Sequence, residues 1–131
     1  MQKIIEQVAE DPYACFLGVT VGEASADSVE CELIIESHML NFMGIPHGGL
    51  LFSLADIALS ILACAEHMPA VGVSVTGNYF KTTKVGARVV AKARKVSSGR
   101  RFSTFAADVT AEGVLLASFT GTCYKMFDRK S

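Results

Sequence analysis

Residues 41–67 read NFMGIPHGGLLFSLADIALSILACAEH, and this stretch decides the architecture. It opens as a turn-rich loop (Asn41, Gly44, Pro46, Gly48, Gly49) and continues as an apolar run from Leu50 to Ala65. Ser53, Asp56 and Ser60 alone interrupt that run. Their spacings of three and four place them on one face of a helix, in line with Gly49 before and His67 after. Leu, Ile, Phe, Ala and Cys fill the other faces, so the pattern predicts a helix buried on almost every side. A carboxylate in such a helix is costly to bury, and Asp56 is therefore the first candidate functional residue.

Around this helix the chain alternates at period two. Upstream, Ile4, Ile5 and Val8 give residues 3–10 a short amphipathic helix that ends at Asp11-Pro12. Cys15–Val21 reads as a first strand, and Ser28–Glu36 sets Val29, Cys31 and Leu33 against Ser28, Glu30 and Glu32. Downstream, Val71–Phe80 is predicted to put Val71, Val73 and Val75 on one face and Gly72, Ser74 and Thr76 on the other. Strands follow over Arg88–Val96, Arg101–Thr110 and Val114–Met126, separated by turns at Ser97-Ser98-Gly99 and Ala111-Glu112-Gly113. Short turns imply antiparallel pairing, and the apolar helix requires cover. The expected fold is α+β, a curved antiparallel sheet wrapped around one long central helix, with residues 1–131 forming a single domain.

With 131 residues, half of them hydrophobic, the chain has material for a substantial core. Its net charge of −1 does not point to nucleic acid. Cys15, Cys31, Cys64 and Cys123 lie far apart without metal-ligand spacing, and they read as free thiols of a reducing, cytoplasmic protein with no metal. The N-terminal residues do not resemble a signal peptide. Leu50–Ala65 is shorter than the roughly 20 residues of a membrane span, and a central Asp56 would cost about 2.5–3.5 kcal/mol on insertion, so no membrane association is expected.

The start of the long helix carries a second chemical signal. Free N–H groups and the helix dipole favour developing negative charge there, and Gly48-Gly49 leave the backbone open to a substrate carbonyl. Asp56 is a candidate general base or nucleophile. Eight residues separate it from Gly48, about 12 Å along the axis, which no single side chain spans. If the two groups act together, antiparallel helices of a two-fold dimer must bring Asp56 of one subunit to Gly48 of the other.

Between Glu66 and Asp108 the chain has no acidic residue, yet it holds Lys81, Lys84, Arg88, Lys92, Arg94, Lys95, Arg100 and Arg101. This basic band suits a solvated strand face or a site for a nucleotide-bearing polyanion. Nucleic acid is the weaker alternative without an aromatic-rich stacking strand.

Asn41, His47-Gly48-Gly49 and Asp56, within the string HGGLLFSLAD, resemble the hot-dog-fold acyl-CoA thioesterases of the phenylacetate-degradation (PaaI) type. The resemblance covers nearly the whole chain, including the turn SSGRR. It implies a homodimer or dimer of dimers that hydrolyses acyl-CoA without a separate cofactor. Carried over by position, the Gly48 N–H polarises the thioester carbonyl. Asn41 binds the carbonyl end or holds the loop, and His47 shapes that loop. Asp56 of the facing subunit acts on water or carbon, and Ser74 orients the water. Arg100, Arg101, Lys81 and Lys84, with Gly99 in the turn, are the candidates for binding CoA. Where relatives often carry Gly-Asp, this chain has Gly86-Ala87-Arg88. A hot-dog hydratase or dehydratase and a non-catalytic acyl-CoA-binding module are the alternatives.

Overall fold

The computed structural model describes residues 1–127. Two short helices, α1 (Gln2–Val8) and α2 (Pro12–Leu17), precede strands β1 (Thr20–Ala24) and β2 (Ser28–Ile34). A 3-10 turn at Ser37–Met39 leads to the long helix α3 (Gly48–Glu66). Strands β3 (Ala70–Tyr79), β4 (Arg88–Ser98), β5 (Phe102–Ala111) and β6 (Val114–Lys125) follow. They form one antiparallel sheet in the order β1-β2-β4-β5-β6-β3, curved around α3 in the expected hot-dog arrangement.

The core is the seam between sheet and helix. Alternate residues of the central strands, among them Val89, Ala91, Phe105, Val109 and Phe119, are buried against Leu54, Ala58, Ile61 and Leu62 of α3. Close approach depends on small residues in the sheet: a Cβ on Gly121 would lie 2.9 Å from Leu59. Although α3 is long and apolar enough to suit a membrane span, these contacts commit most of its apolar surface to the sheet.

Three expectations change. Cys15–Val21 is not a strand. Asp11 caps a new helix through the Ala14 N–H, Pro12 occupies its first turn, and Gly18 ends it at φ 73°, a left-handed conformation suited to glycine. Asp11-Pro12 therefore starts α2 rather than merely ending α1, and β1 begins only at Thr20. In β3 the register slips between Gly72 and Ser74. Val73 is the extra residue of a bulge, so Val71 and Val75 no longer share a face. Finally, α3 is not buried on every side: Phe52 and Ser60 are exposed, while Ser53 and Asp56 are only half-buried. That open stripe and the adjacent edge strand β3, hydrogen-bonded on one side to β6, leave one face of the chain uncovered among the described residues.

Candidate active site

The loop entering α3 is held by its own side chains. Asn41 Oδ1 accepts from the N–H groups of Met43 (2.9 Å) and Ile45 (3.3 Å), while the Asn41 N–H donates to the Ile45 carbonyl at 2.7 Å. This turn consumes the amide oxygen and leaves the Asn41 Nδ2 donors for another partner. The His47 N–H then donates to the Met39 carbonyl at 2.9 Å, which anchors the end of the loop.

His47 is the N-cap. Its Nδ1 accepts from the Gly49 N–H at 3.0 Å, which assigns the ring proton of neutral His47 to Nε2. The Leu50 N–H turns to the His47 carbonyl at 3.0 Å. The Gly48 N–H has no acceptor among the described residues. No acidic side chain lies in this first turn, so the positive end of the helix dipole is left uncompensated. The Tyr79 hydroxyl donates to the Gly48 carbonyl at 3.0 Å. Its ring stands 3.4 Å from where a Cβ on Gly48 would sit and meets Phe119 edge-on. A cavity of about 340 Å³ opens here, lined by Asn41, Pro46, Gly48, Tyr79, Lys81 and Thr82.

Asp56 lies two turns further along α3. Burial raises its carboxyl above the ordinary value of 3.8, and it makes no hydrogen bond or ion pair among the described residues. The helical rise separates it from Gly48 by about 12 Å, so the two groups do not meet within one chain. Ser74, exposed beside the β3 bulge, makes no hydrogen bond to Asp56 among the described residues. The chain thus brings Asn41, His47 and Gly48 together and keeps Asp56 and Ser74 apart from them.

The basic band divides into two populations. Arg88 pairs with Glu32, Lys92 with Glu30 at 3.3 Å, and Lys95 with Glu66 at 2.7 Å; for these residues the structural reading holds. Lys81, Lys84, Arg100 and Arg101, like Arg94 within β4, have no ion pair among the described residues. The two lysines follow β3 near the start of α3, and Lys81 lines its cavity. The two arginines follow β4 near the end of α3, where the Arg101 carbonyl accepts from the Lys125 N–H at 2.7 Å. Opposite ends of a 19-residue helix are about 27 Å apart, so one chain does not assemble all four cations around one ligand. Gly99 lies in the arginine-bearing turn, where its carbonyl accepts from Lys125 Nζ at 2.7 Å. Among the described residues no three His, Cys, Asp or Glu side chains converge as a metal site.

Two residues of this region had no sequence signal strong enough to single them out. Tyr79 is one aromatic in a strand, and only the fold carries its hydroxyl to Gly48. Glu66 looks like an ordinary helix-end acid, but it receives Lys125 Nζ at 2.9 Å, Lys95 Nζ at 2.7 Å and the hydroxyls of Ser98 and Ser103. Burial would push its carboxyl up, yet these donors pull it well below the ordinary range.

A model of the thioesterase superfamily matches residues 43–118. Human acyl-coenzyme A thioesterase 13 is 32% identical over 103 residues, covering 76% of this chain and 74% of that protein. A mutant of the phenylacetic acid degradation protein PaaI from Thermus thermophilus is 34% identical, with a TM-score of 0.86 over 88% of this chain and 100% of its own. A Streptococcus mutans protein bound to acetyl CoA is 25% identical, with a TM-score of 0.80 over 86% of this chain and 91% of its own.

Proposed function

The chain belongs to the thioesterase superfamily, and on that premise we propose that it hydrolyses acyl-CoA thioesters to the free acid and CoA. The observation that carries this reading is the free Gly48 N–H at the positive end of α3, beside the Asn41 amide and an open cavity. A thioester carbonyl oxygen placed there gains preorganised donors as it becomes an oxyanion. Asp56 supplies the base. Its carboxylate removes a proton from water while the water oxygen bonds to the carbonyl carbon. The carbon–sulfur bond then breaks, and the CoA sulfur leaves with the electron pair and takes up a proton. Burial raises Asp56 and makes its ionised form a stronger base than an exposed carboxylate. Direct attack by Asp56 on the carbonyl is the variant of this step, and Ser74 orients the water in the first version.

The separation of Asp56 from Gly48 makes the site a property of two subunits. Two-fold pairing of the open α3 stripes, antiparallel, sets Asp56 of one against Gly48 of the other, and the unpaired β3 edge offers the adjoining contact. The same operation carries the Arg100–Arg101 turn of one subunit toward the Lys81 end of the other, where CoA phosphates need cations. With its Nδ1 already the helix cap, neutral His47 has no free ring lone pair to serve as the base of a hydratase.

Thiol release from acyl-CoA substrates by wild type and Asp56→Asn tests the chemistry; Asp56-independent release would overturn it. Mixed dimers test the sharing. Asp56→Asn combined with Asn41→Ala places one intact Asn41–Gly48–Asp56 set in each heterodimer, and activity should return on mixing two inactive variants. No recovery from verified heterodimers would refute the shared site.

A further inference from the structure

Asp56, Ser60 and Cys64 follow one another at four-residue steps, so they form one stripe of α3 with about 6 Å between neighbours. Where the stripe reaches α1 it enters a groove of about 170 Å³, bounded by Ile4 and Val8 on one side and by Ser60, Cys64 and Met68 on the other. Ile4 is buried in its wall, whereas Ser60 and Met68 are exposed at its mouth. Asp11, which lines the rim with Gln7, is engaged in capping α2 through the Ala14 N–H at 3.4 Å. Ser60, at the mouth of the groove, stands one helical turn from Asp56.

An apolar groove that begins a helical turn from the reacting group matches an alkyl chain better than a polar ligand. We propose that the groove between α1 and the C-terminal half of α3 takes the distal part of an aliphatic acyl group, so that α1 and residues 60, 64 and 68 set the chain-length preference. This inference rests on the thioesterase reading. With the carbonyl at Gly48 of one subunit, the acyl chain passes Asp56 of the other and continues along that subunit's stripe, while the CoA moiety leaves toward Lys81.

The test compares kcat/KM for acetyl-, hexanoyl-, decanoyl- and palmitoyl-CoA in wild type, Ser60→Phe, Cys64→Phe and Met68→Trp. Filling the groove should lower the decanoyl-to-acetyl ratio by about tenfold or more. Met68→Trp, outside the helix, gives the same readout if a bulky residue within α3 prevents folding. CoA release with an unchanged ratio, or with equal losses at every length, would overturn the groove assignment alone. CoA release by wild type from phenylacetyl-CoA but from none of the four would overturn this inference alone, and release from none of the five would overturn the thioesterase reading with it.

Discussion

The two ends of α3 solve the same problem in opposite ways. At the C-terminal end, Glu66 is surrounded by two ammonium groups and two hydroxyls, and its charge is spent tying the helix to β4, β5 and β6. At the N-terminal end, the Gly48 N–H and the dipole have no partner among the described residues, and Asp56, the acid on the open stripe, stands two turns away. Saturated polar groups hold a fold together, whereas unsatisfied ones retain binding energy for a ligand. Under the proposed function, the contrast gives stability to one end and chemistry to the other.

Variants can break that division. The largest effect expected is on turnover: Asp56→Asn should lower kcat by about a thousandfold, measured by thiol release, without loss of folding. Its stability should rise at neutral pH. Because the folded carboxyl is raised, the folded state binds more protons than the unfolded chain between the two pKa values. Stability therefore falls as pH rises through the folded pKa. A thermal scan showing Asp56→Asn less stable than wild type at neutral pH would refute this. The same ionisation predicts an acid limb in kcat/KM displaced above the ordinary carboxylate range, with activity rising as Asp56 deprotonates.

Glu66→Gln should show the reverse profile. Disrupting a largely buried network should cost about 2–3 kcal/mol of stability, measured by denaturant unfolding, with kcat changed little. The sign with pH is also opposite. Glu66 is held low, so its contribution is fully present above the unfolded value near 4.5 and is lost as pH falls through the folded value. The gap between wild type and Glu66→Gln should therefore narrow on acidification. If turnover fell as steeply as for Asp56→Asn, the separation between the helix ends would be wrong.

Smaller effects sharpen the picture of the proposed site. Replacing both Arg100 and Arg101 with Ala should raise KM by about tenfold at low ionic strength and by less at high salt, whereas replacing Lys92, already paired with Glu30, should leave KM near the wild-type value. Tyr79→Phe removes the hydroxyl that holds the Gly48 carbonyl. A fall in kcat of roughly fivefold, with under about 1.5 kcal/mol of stability lost, would separate its positioning role from a packing role. Equal kcat in the two proteins would make the hydrogen bond incidental.

Much of this was legible in the chain because it is local. The period of the apolar residues marks α3 and the strands after it, the glycines mark where backbone is bared, and Asp56 stands out because a carboxylate interrupts an apolar run. The loop residues Asn41, His47 and Gly48 lie within eight positions, so their proximity follows from chain connectivity. Asp11-Pro12 was ambiguous for the same local reason: it stops one helix and starts another, and the Asp11 cap, the left-handed Gly18 and the burial of Ala14 and Leu17 together mark α2 as a helix. A bulge such as that at Val73 is an event between β3 and β6, not within either sequence.

By itself, then, the sequence determined which residues form the central helix, where its bared backbone end lies and that a lone acid sits about two turns away from that end. Tertiary structure decided which cations are consumed by ion pairs, that Tyr79 reaches Gly48, that four donors collect on Glu66 and that one stripe of α3 stays open beside a free sheet edge. The physical reason is range: helical periodicity and turn chemistry are set by neighbours along the chain, while hydrogen bonding and burial depend on groups that only the fold brings within reach.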